Sequence, residues 1–447
     1  MSGLIRGLEI ARRSLMAHQA MMNVFGQNIA NVNTPGYTRQ VGELTPSAAV
    51  RFGSLSFGTG VDLAGISRKR DLFLDREARR QMAFHGERQA FAEGLSQLEA
   101  LLNEPSEHGL GSVLDGFFDA WNDLANNPED LGARRILVEE GRRLAGRFRI
   151  LHQGLQELRA QQDLRLEHLV IDLDGKLEEV ASLNGGIRKA AIEGDSASAL
   201  RDRRDVLLEE IVAWTGAQTR EVADGSVVVT VDGQNLVEGG EALALEARRT
   251  GGRLLLVVLG SDRQLRVSDG EIGGLLRLRD TAIPQVRDDL DRLAANLAQE
   301  LNRLHAMGPS GLDFFSGSTA ADLQVAEEVA RDPSLVNVGT TTDAGQNDVA
   351  GAIAALRQRP LPGLSGSSPS EFWTQQVTRV GSMVRRETEE AQAASLYLES
   401  LEARRDAVSG VNMEEELVGL VTTEKAFQAA ARYLTAVNGM LDELMSL

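Results

Sequence analysis

"NIANVNTPGYTRQ", residues 28–40, is the stretch from which the rest of this chain is read. Within it Pro35 pushes Thr34 out of the helical region, and Pro35-Gly36 suits the two central positions of a type II turn. A helix arriving from the N-terminal side therefore stops near Asn33, and the chain leaves at a fixed angle. That helix is written upstream. Leu4, Leu8, Ala11, Leu15, Met22, Phe25, Ile29 and Val32 recur in steps of three and four, with His18 in the one missing place. The spacing is a heptad seam, and a helix from about Ser2 to Val32 has a length of about 45 Å.

The far end answers it. Met413, Leu417, Leu420, Phe427, Ala431, Leu434, Leu441 and Met445 repeat the same steps, with Glu424 and Asn438 in two polar places. Asn412 followed by Glu414, Glu415 and Glu416 reads as an N-cap with acid at the positive end of the helix dipole. Two narrow seams predict pairing with each other or with copies of themselves, so everything between reads as an insertion carried by two terminal helices. The plainer alternative for the seams is a long helical hairpin whose ends pair inside one globular domain.

The turn's wording adds to this. "NIANVNTPGYTRQ" resembles the N-terminal signature shared by the axial proteins of the bacterial flagellum, the rod, hook and hook-associated subunits. "SGVNMEEE" (409–416) resembles the opening of that family's C-terminal helix. "LRDRRD" (200–205), inside "IRKAAIEGDSASALRDRRDVLLEEI", is similar to a segment that ends the family's helical domain. Nearly continuous helix from 71 to 211 favours the hook-associated members, since rod and hook proteins have a shorter helical section and a larger β fraction. The resemblance implies a structural subunit, not an enzyme, at the junction between hook and filament, polymerising through its terminal helices. It implies as partners copies of itself in a ring, the hook protein, the next hook-associated protein, and an export chaperone on the C-terminal helix. It implies an extracellular place on the flagellum, reached by export without a cleaved signal peptide. The assembly turn is then Asn28, Asn31, Asn33, Pro35, Gly36 and Tyr37. The terminal-helix seam is Leu4, Leu8, Leu15, Met22, Phe25, Ile29, Leu417, Leu420, Phe427, Leu434 and Leu441. Family members often carry a further outer insertion, which this chain is expected to lack or to carry in trimmed form.

Composition bounds the alternatives. The 447 residues suffice for about three domains. The net charge is −18, with three Trp and three Tyr, which speaks against a basic, aromatic nucleic-acid platform and against an anionic lipid surface. No cysteine occurs, so disulfides, thiolate catalysis and thiolate metal sites are excluded. Arg6, Arg12 and Arg13 interrupt any apolar core of a signal peptide, and the apolar run Leu254–Leu259 is too short to cross a bilayer.

The expected fold class is mainly α with a small β domain: terminal coiled-coil helices, an elongated helical-bundle domain and an inserted antiparallel β domain. The divisions are 1–36 and 409–447 for the terminal pair, and 37–214 and 272–408 for the helical body. Residues 37–66 are expected as extended chain and turns. Residues 215–271 form a small outer β domain, punctuated by Asp224-Gly225, Asp232-Gly233, Gly239-Gly240, Gly251-Gly252 and Asp269-Gly270. Asn103 and Pro105 end one body helix, Gly194 another, and the Pro/Gly/Ser-rich stretch 359–370 reads as a loop at the body's edge. The charges of "LRDRRD" read as spaced ion pairs on a helix surface.

A search for chemistry returns no catalytic, cofactor or metal residues. The six His residues lack ligand spacing, "DLDG" (172–175) departs from a calcium loop, and "GLGSVLDG" (109–116) lacks both the spacing and the Lys of a phosphate loop. Another flagellar axial subunit, or a cytoplasmic coiled-coil adaptor, is the alternative to the junction reading.

Overall fold

The computed structural model describes residues 2–52, 55–251, 253–261 and 263–446. Gly252, half of one expected turn, lies outside them. The first helix, α1 (Ser2–Ala30), stops at the turn. The chain then forms an antiparallel ribbon of β1 (Gln40–Pro46) with β4 (Val61–Arg68), bulged between Glu43 and Leu44, with a tip of β2 (Val50–Phe52) and β3 (Leu55–Phe57). The extended chain expected at 37–66 is thus paired into a regular ribbon. The ribbon lies against α1, with Arg13 Nη1 donating to Asp62 at 2.9 Å, and encloses no core of its own. Its strands accordingly lack the apolar alternation by which strands are read.

The body opens with α2 (Leu72–Leu102), capped by Asp71, whose carboxylate accepts from the Phe73 and Leu74 N–H groups, and ended by Asn103 at φ +54°. After α3 (Leu110–Asn126) comes α4 (Leu131–Glu193), an unbroken helix of 63 residues and about 95 Å. Gly194 ends it in the left-handed conformation and α5 (Ser198–Thr215) returns. Four sequential antiparallel strands follow, β5 (Gln218–Glu221), β6 (Val227–Val231), β7 (Gln234–Glu238) and β8 (Glu241–Ala242), then the hairpin β9 (Leu245–Thr250) and β10 (Arg253–Val258). Asp232 and Gly233 both have positive φ and join β6 to β7 by a two-residue loop, the geometry that an Asp-Gly pair favours. The chain re-enters the body as α6 (Gly270–Arg277), a π turn over Leu278–Ala282 and α7 (Ile283–His305). The short elements β11 (Phe315–Ser316), β12 (Gln324–Val325), α8 (Glu327–Arg331) and α9 (Asp348–Ala354) precede the long return helix α10 (Pro369–Ser409) and finally α11 (Met413–Ser446).

Two hydrophobic cores are strung along α4. One packs Leu137 to Leu158 of α4 against α2, α3, α7 and the start of α10, around Phe117, Trp121, Phe148 and Phe314. The stretch 316–370 contributes Leu323, Val329, Val336, Ile353, Leu361 and Leu364 to it. The expected edge loop at 359–370 is thus anchored, with Leu361 and Leu364 buried and Ser368 forming a capping box with Glu371. The second core joins Leu166 to Ala181 of α4 with α5 and the inner faces of the strands, including Val229, Leu236, Leu254 and Leu256. The strands therefore share one core with the helices beside them.

The terminal helices pair antiparallel: Phe25 lies against Gly419, and Gly7 against Tyr433 and Val437. A Cβ on Gly419 would stand 2.6 Å from the Phe25 ring, so glycine sets how close the two helices come. The buried residues of α1 are Gly7, Ala11, Ala17, Val24 and Asn28, and those of α11 are Glu416, Ala430 and Val437. The expected seam residues Leu4, Leu8, Leu15, Met22, Phe25, Ile29, Leu420, Phe427, Leu434 and Leu441 are half-buried. Leu417 departs further, being 46% exposed, and Glu424 and Asn438 face solvent instead of occupying the seam. Glycine on one helix receives a larger side chain of the other, Phe25 on Gly419 and Val437 on Gly7.

Candidate functional site

The turn is built as its residues dictate. The Tyr37 N–H donates to the Thr34 carbonyl at 3.2 Å and Gly36 has φ +76°, as the second central position of a type II turn requires. Asn31 Nδ2 donates to the Gln27 carbonyl at 2.9 Å, and its Oδ1 accepts from Thr34 Oγ1, closing the helix end. Asn33 and Pro35 are exposed. A Cβ on Gly36 would stand 2.4 Å from Val206 Cγ2, so the turn rests directly on α5.

Asn28 is the hub. It is fully buried and uses its whole hydrogen-bonding capacity. Its Nδ2 donates to the Gln40 carbonyl at 2.9 Å and to Glu416 Oε2 at 2.8 Å, while its Oδ1 accepts from Tyr37 Oη at 2.8 Å and from the Gln40 N–H at 3.0 Å. One side chain thus ties the end of α1, the turn, the start of the ribbon and the start of α11. Arg39 doubles the tie: it pairs with Glu416 at 2.6 Å and Glu415 at 2.9 Å, and its N–H donates to Ser409 at the end of α10. Asn412 caps α11 as expected, accepting from the Glu414 and Glu415 N–H groups. Burial, with the carboxylates of Asp202 and Glu416 nearby, pushes the Tyr37 phenol up to about 12, so it remains a neutral donor at ordinary pH.

Beneath this knot lies an ion cluster that the sequence reading placed on a helix surface. Asp202 and Asp205 of α5 are nearly buried. Arg68 pairs with Asp202 at 2.9 Å and with Asp205 at 2.7 Å, Arg79 pairs with Asp205 at 3.0 Å, and Arg70 pairs with both Asp205 and Asp75. Burial works to raise the Asp205 carboxyl, yet Arg70, Arg68 and Arg79 together hold it below its ordinary value. Asp202 Oδ2 also accepts from the Thr38 N–H at 3.2 Å, joining the cluster to the turn. Arg204, 1% exposed, donates from one nitrogen to Asn184 Oδ1 at 3.0 Å and the Gly225 carbonyl at 2.7 Å, holding the first strands on the α4–α5 hairpin. Burial lowers its guanidinium to about 10. The sequence reading missed Arg39, Gln40, Arg68, Arg70 and Arg79. The one signal pointing to the cluster was the pair of acids three residues apart in "LRDRRD". Among the described residues no group of His, Asp and Glu could hold a metal ion, and no helix is long and apolar enough to cross a membrane.

The chain matches the family described as flagellar hook-associated protein FlgK helical domain over residues 95–315. The flagella basal body rod protein family matches 8–38, and the flagellar basal body rod FlgEFG protein C-terminal family matches 406–447. The flagellar hook-associated protein 1 of Bacillus subtilis is 27% identical, over 100% of this chain and 99% of that protein. The chain belongs to the flagellar hook-associated protein 1 family. The namesakes of Escherichia coli and Salmonella typhimurium are 28% and 29% identical, over 72% and 68% of this chain. Those matches span 62% and 58% of the two relatives, less than two thirds of their length. The solved structure of the flagellar hook junction protein FlgK from Burkholderia pseudomallei shares the fold, with a TM-score of 0.67 at 13% identity, over 74% of this chain and 100% of that one. In this hook-associated protein the two rod-type matches fall on α1 with the turn and on α11, the two halves that Asn28 and Glu416 lock together. Membership makes it a structural component of the bacterial flagellum, the organelle of motility.

Proposed function

We propose that this hook-associated protein is a structural subunit of the junction between hook and filament, polymerising through α1, α11 and the turn that joins them to the body. The observation behind this reading is the uneven satisfaction of the terminal pair. Its inner end is locked by the Asn28 knot. Along the rest of its length Ile5, Met16, Val418, Val421, Tyr433, Met440 and Leu444 are 47–67% exposed. A helix pair with so narrow a buried line gains by packing against copies of itself, where added burial offsets the entropy of ordering. The division of labour then follows the chain: 1–36 with 409–447 for assembly, 37–214 with 272–408 as the elongated body, and 215–271 on the body's side. The partners are copies in a ring, the hook protein, the next hook-associated protein, and an export chaperone that covers the apolar face of α11 until assembly. The protein reaches its extracellular place through the flagellum's own export apparatus.

Deleting the gene in its source bacterium and imaging the cells tests the reading. Complete hooks without filaments, with filament subunits free in the medium, are expected. Absent hooks would move the protein to the rod or hook, and normal flagella would overturn the proposal.

A further inference from the structure

Asn438, which faces solvent from α11, is followed by Gly439, and the chain has one other Asn-Gly pair, Asn184-Gly185. Such a pair carries its own reaction. The glycine backbone nitrogen, unhindered by a Cβ, attacks the Asn side-chain carbonyl carbon, closes a five-membered succinimide and expels ammonia. Water then opens the ring at one of its two carbonyls, leaving aspartate or β-linked isoaspartate. A helix forbids the attack, because it commits the glycine N–H to the carbonyl four residues back and holds the nitrogen away from the side chain. The fate of each pair is therefore set by how often its helix opens.

The two pairs stand in opposite surroundings. Asn184 of α4 is fully buried: its Nδ2 donates to the Val227 carbonyl at 2.9 Å, and its Oδ1 accepts from the Val227 N–H and from Arg204, both at 3.0 Å. Its neighbours Ala181 and Val227 belong to the second core, so opening there undoes packed structure. Asn438 is exposed, and of residues 438–446 only Leu441 is half-buried, the others being exposed. Asn and Gly are both weak helix formers. Asp442 and Glu443 add negative charge at the negative end of the helix dipole, and the last turn holds no base to offset it. A Cβ on Gly439 would meet nothing within 4 Å, so packing does not call for the glycine. The final turns of α11 therefore open readily at the pair that reacts when open.

We propose that Asn438-Gly439 is a deamidation site, reactive in the unassembled subunit and closed once α11 packs against neighbouring copies. The proposal rests on the assembly role given to α11 above and adds a time limit to it. The product carries a new carboxylate four residues before Asp442, a repulsive spacing on a helix, and the isoaspartyl form also lengthens the backbone by a methylene. A subunit left waiting thus loses the end of the helix it needs.

The purified full chain and flagella isolated from the source bacterium are held side by side in mildly alkaline buffer, sampled over days and digested with trypsin, which separates the two pairs into peptides 177–188 and 433–447. Mass spectrometry reads total conversion, and an isoaspartyl methyltransferase reads the β-linked share. In the free chain 433–447 should convert about tenfold faster, or more, than 177–188 and than the same peptide in flagella, in proportion to helix opening. Gly439→Ala, which the open space admits, should abolish the conversion. Asn438 left intact in the free chain would overturn this inference while leaving the junction reading standing, since that reading does not need the reaction. Conversion that persists in Gly439→Ala would remove the Gly439 nitrogen as the nucleophile and overturn it too. Equal conversion in the free chain and in flagella would overturn the closure by assembly, and flagella without the protein would overturn both readings.

Discussion

The body and the terminal pair use long helices in opposite ways. α4 buries 19 of its 63 residues, among them Leu137, Phe148, Leu166 and Leu177, and rests in two cores. α11, 34 residues long, buries three, of which Ala430 and Val437 are apolar. A fully buried Leu or Phe contributes about 1.5–3 kcal/mol, so the body holds together by itself while the terminal pair has little beyond the knot at its inner end. The difference teaches where burial is complete within one chain and where apolar side chains are left in solvent.

The comparison is broken most severely by removing the hinge between the regions. Asp205→Ala strips one carboxylate from three guanidinium partners, and losing one member of such a buried set costs about 3–5 kcal/mol. Urea unfolding of the body should show that loss. An unchanged midpoint would make the cluster incidental to the joint. Asn28→Ala acts next and more locally. It abandons four hydrogen bonds and leaves Glu416 and the Gln40 backbone without it, a cost of about 2–4 kcal/mol to docking of the terminal pair. Limited proteolysis should then cut α1 and α11 early while the body resists. Equal resistance in all regions would show that Asn28 is not the tie.

Gly36→Val should cost about 2–3 kcal/mol, because positive φ opposes a β-branched residue and its Cβ would meet Val206. The variant should redirect α1 and block assembly; normal flagella would contradict the docking of the turn on α5. The smallest effect sharpens the body's side. His305 is fully buried, hydrogen-bonded at Nδ1 to the Leu312 carbonyl and at Nε2 to the Asn337 N–H. Burial lowers its folded value below the ordinary one, so the unfolded chain takes up a proton first. Its contribution is whole above about pH 6.5 and is lost as pH falls below that. The difference in unfolding midpoint between wild type and His305→Gln should shift with pH there, and a difference constant from pH 7.5 to about 5.5 would exclude the linkage.

Much of this was legible from local chemistry. Pro35-Gly36, Asn103, Gly194 and Asn412 end or begin helices through their own backbone preferences and caps, and the structure has each where the sequence reading put it. What depends on distant partners was not legible. Asn28 and Glu416 stand 388 residues apart, and nothing local to either stretch announces their bond. The acids of "LRDRRD" look solvated by themselves and become buried only when Arg68, Arg70 and Arg79 fold over them. The extended chain at 40–68 was read as such, but not its pairing into a ribbon against the flank of α1.

Hydrogen exchange on the free full-length protein tests the central contrast most directly. Amides of 2–24 and 426–446 should exchange far faster than those of α4 and α7, with slower exchange returning next to Asn28 and Glu416. Protection across the terminal helices equal to that of the body would contradict the view that this pair completes its packing only in the assembled flagellum.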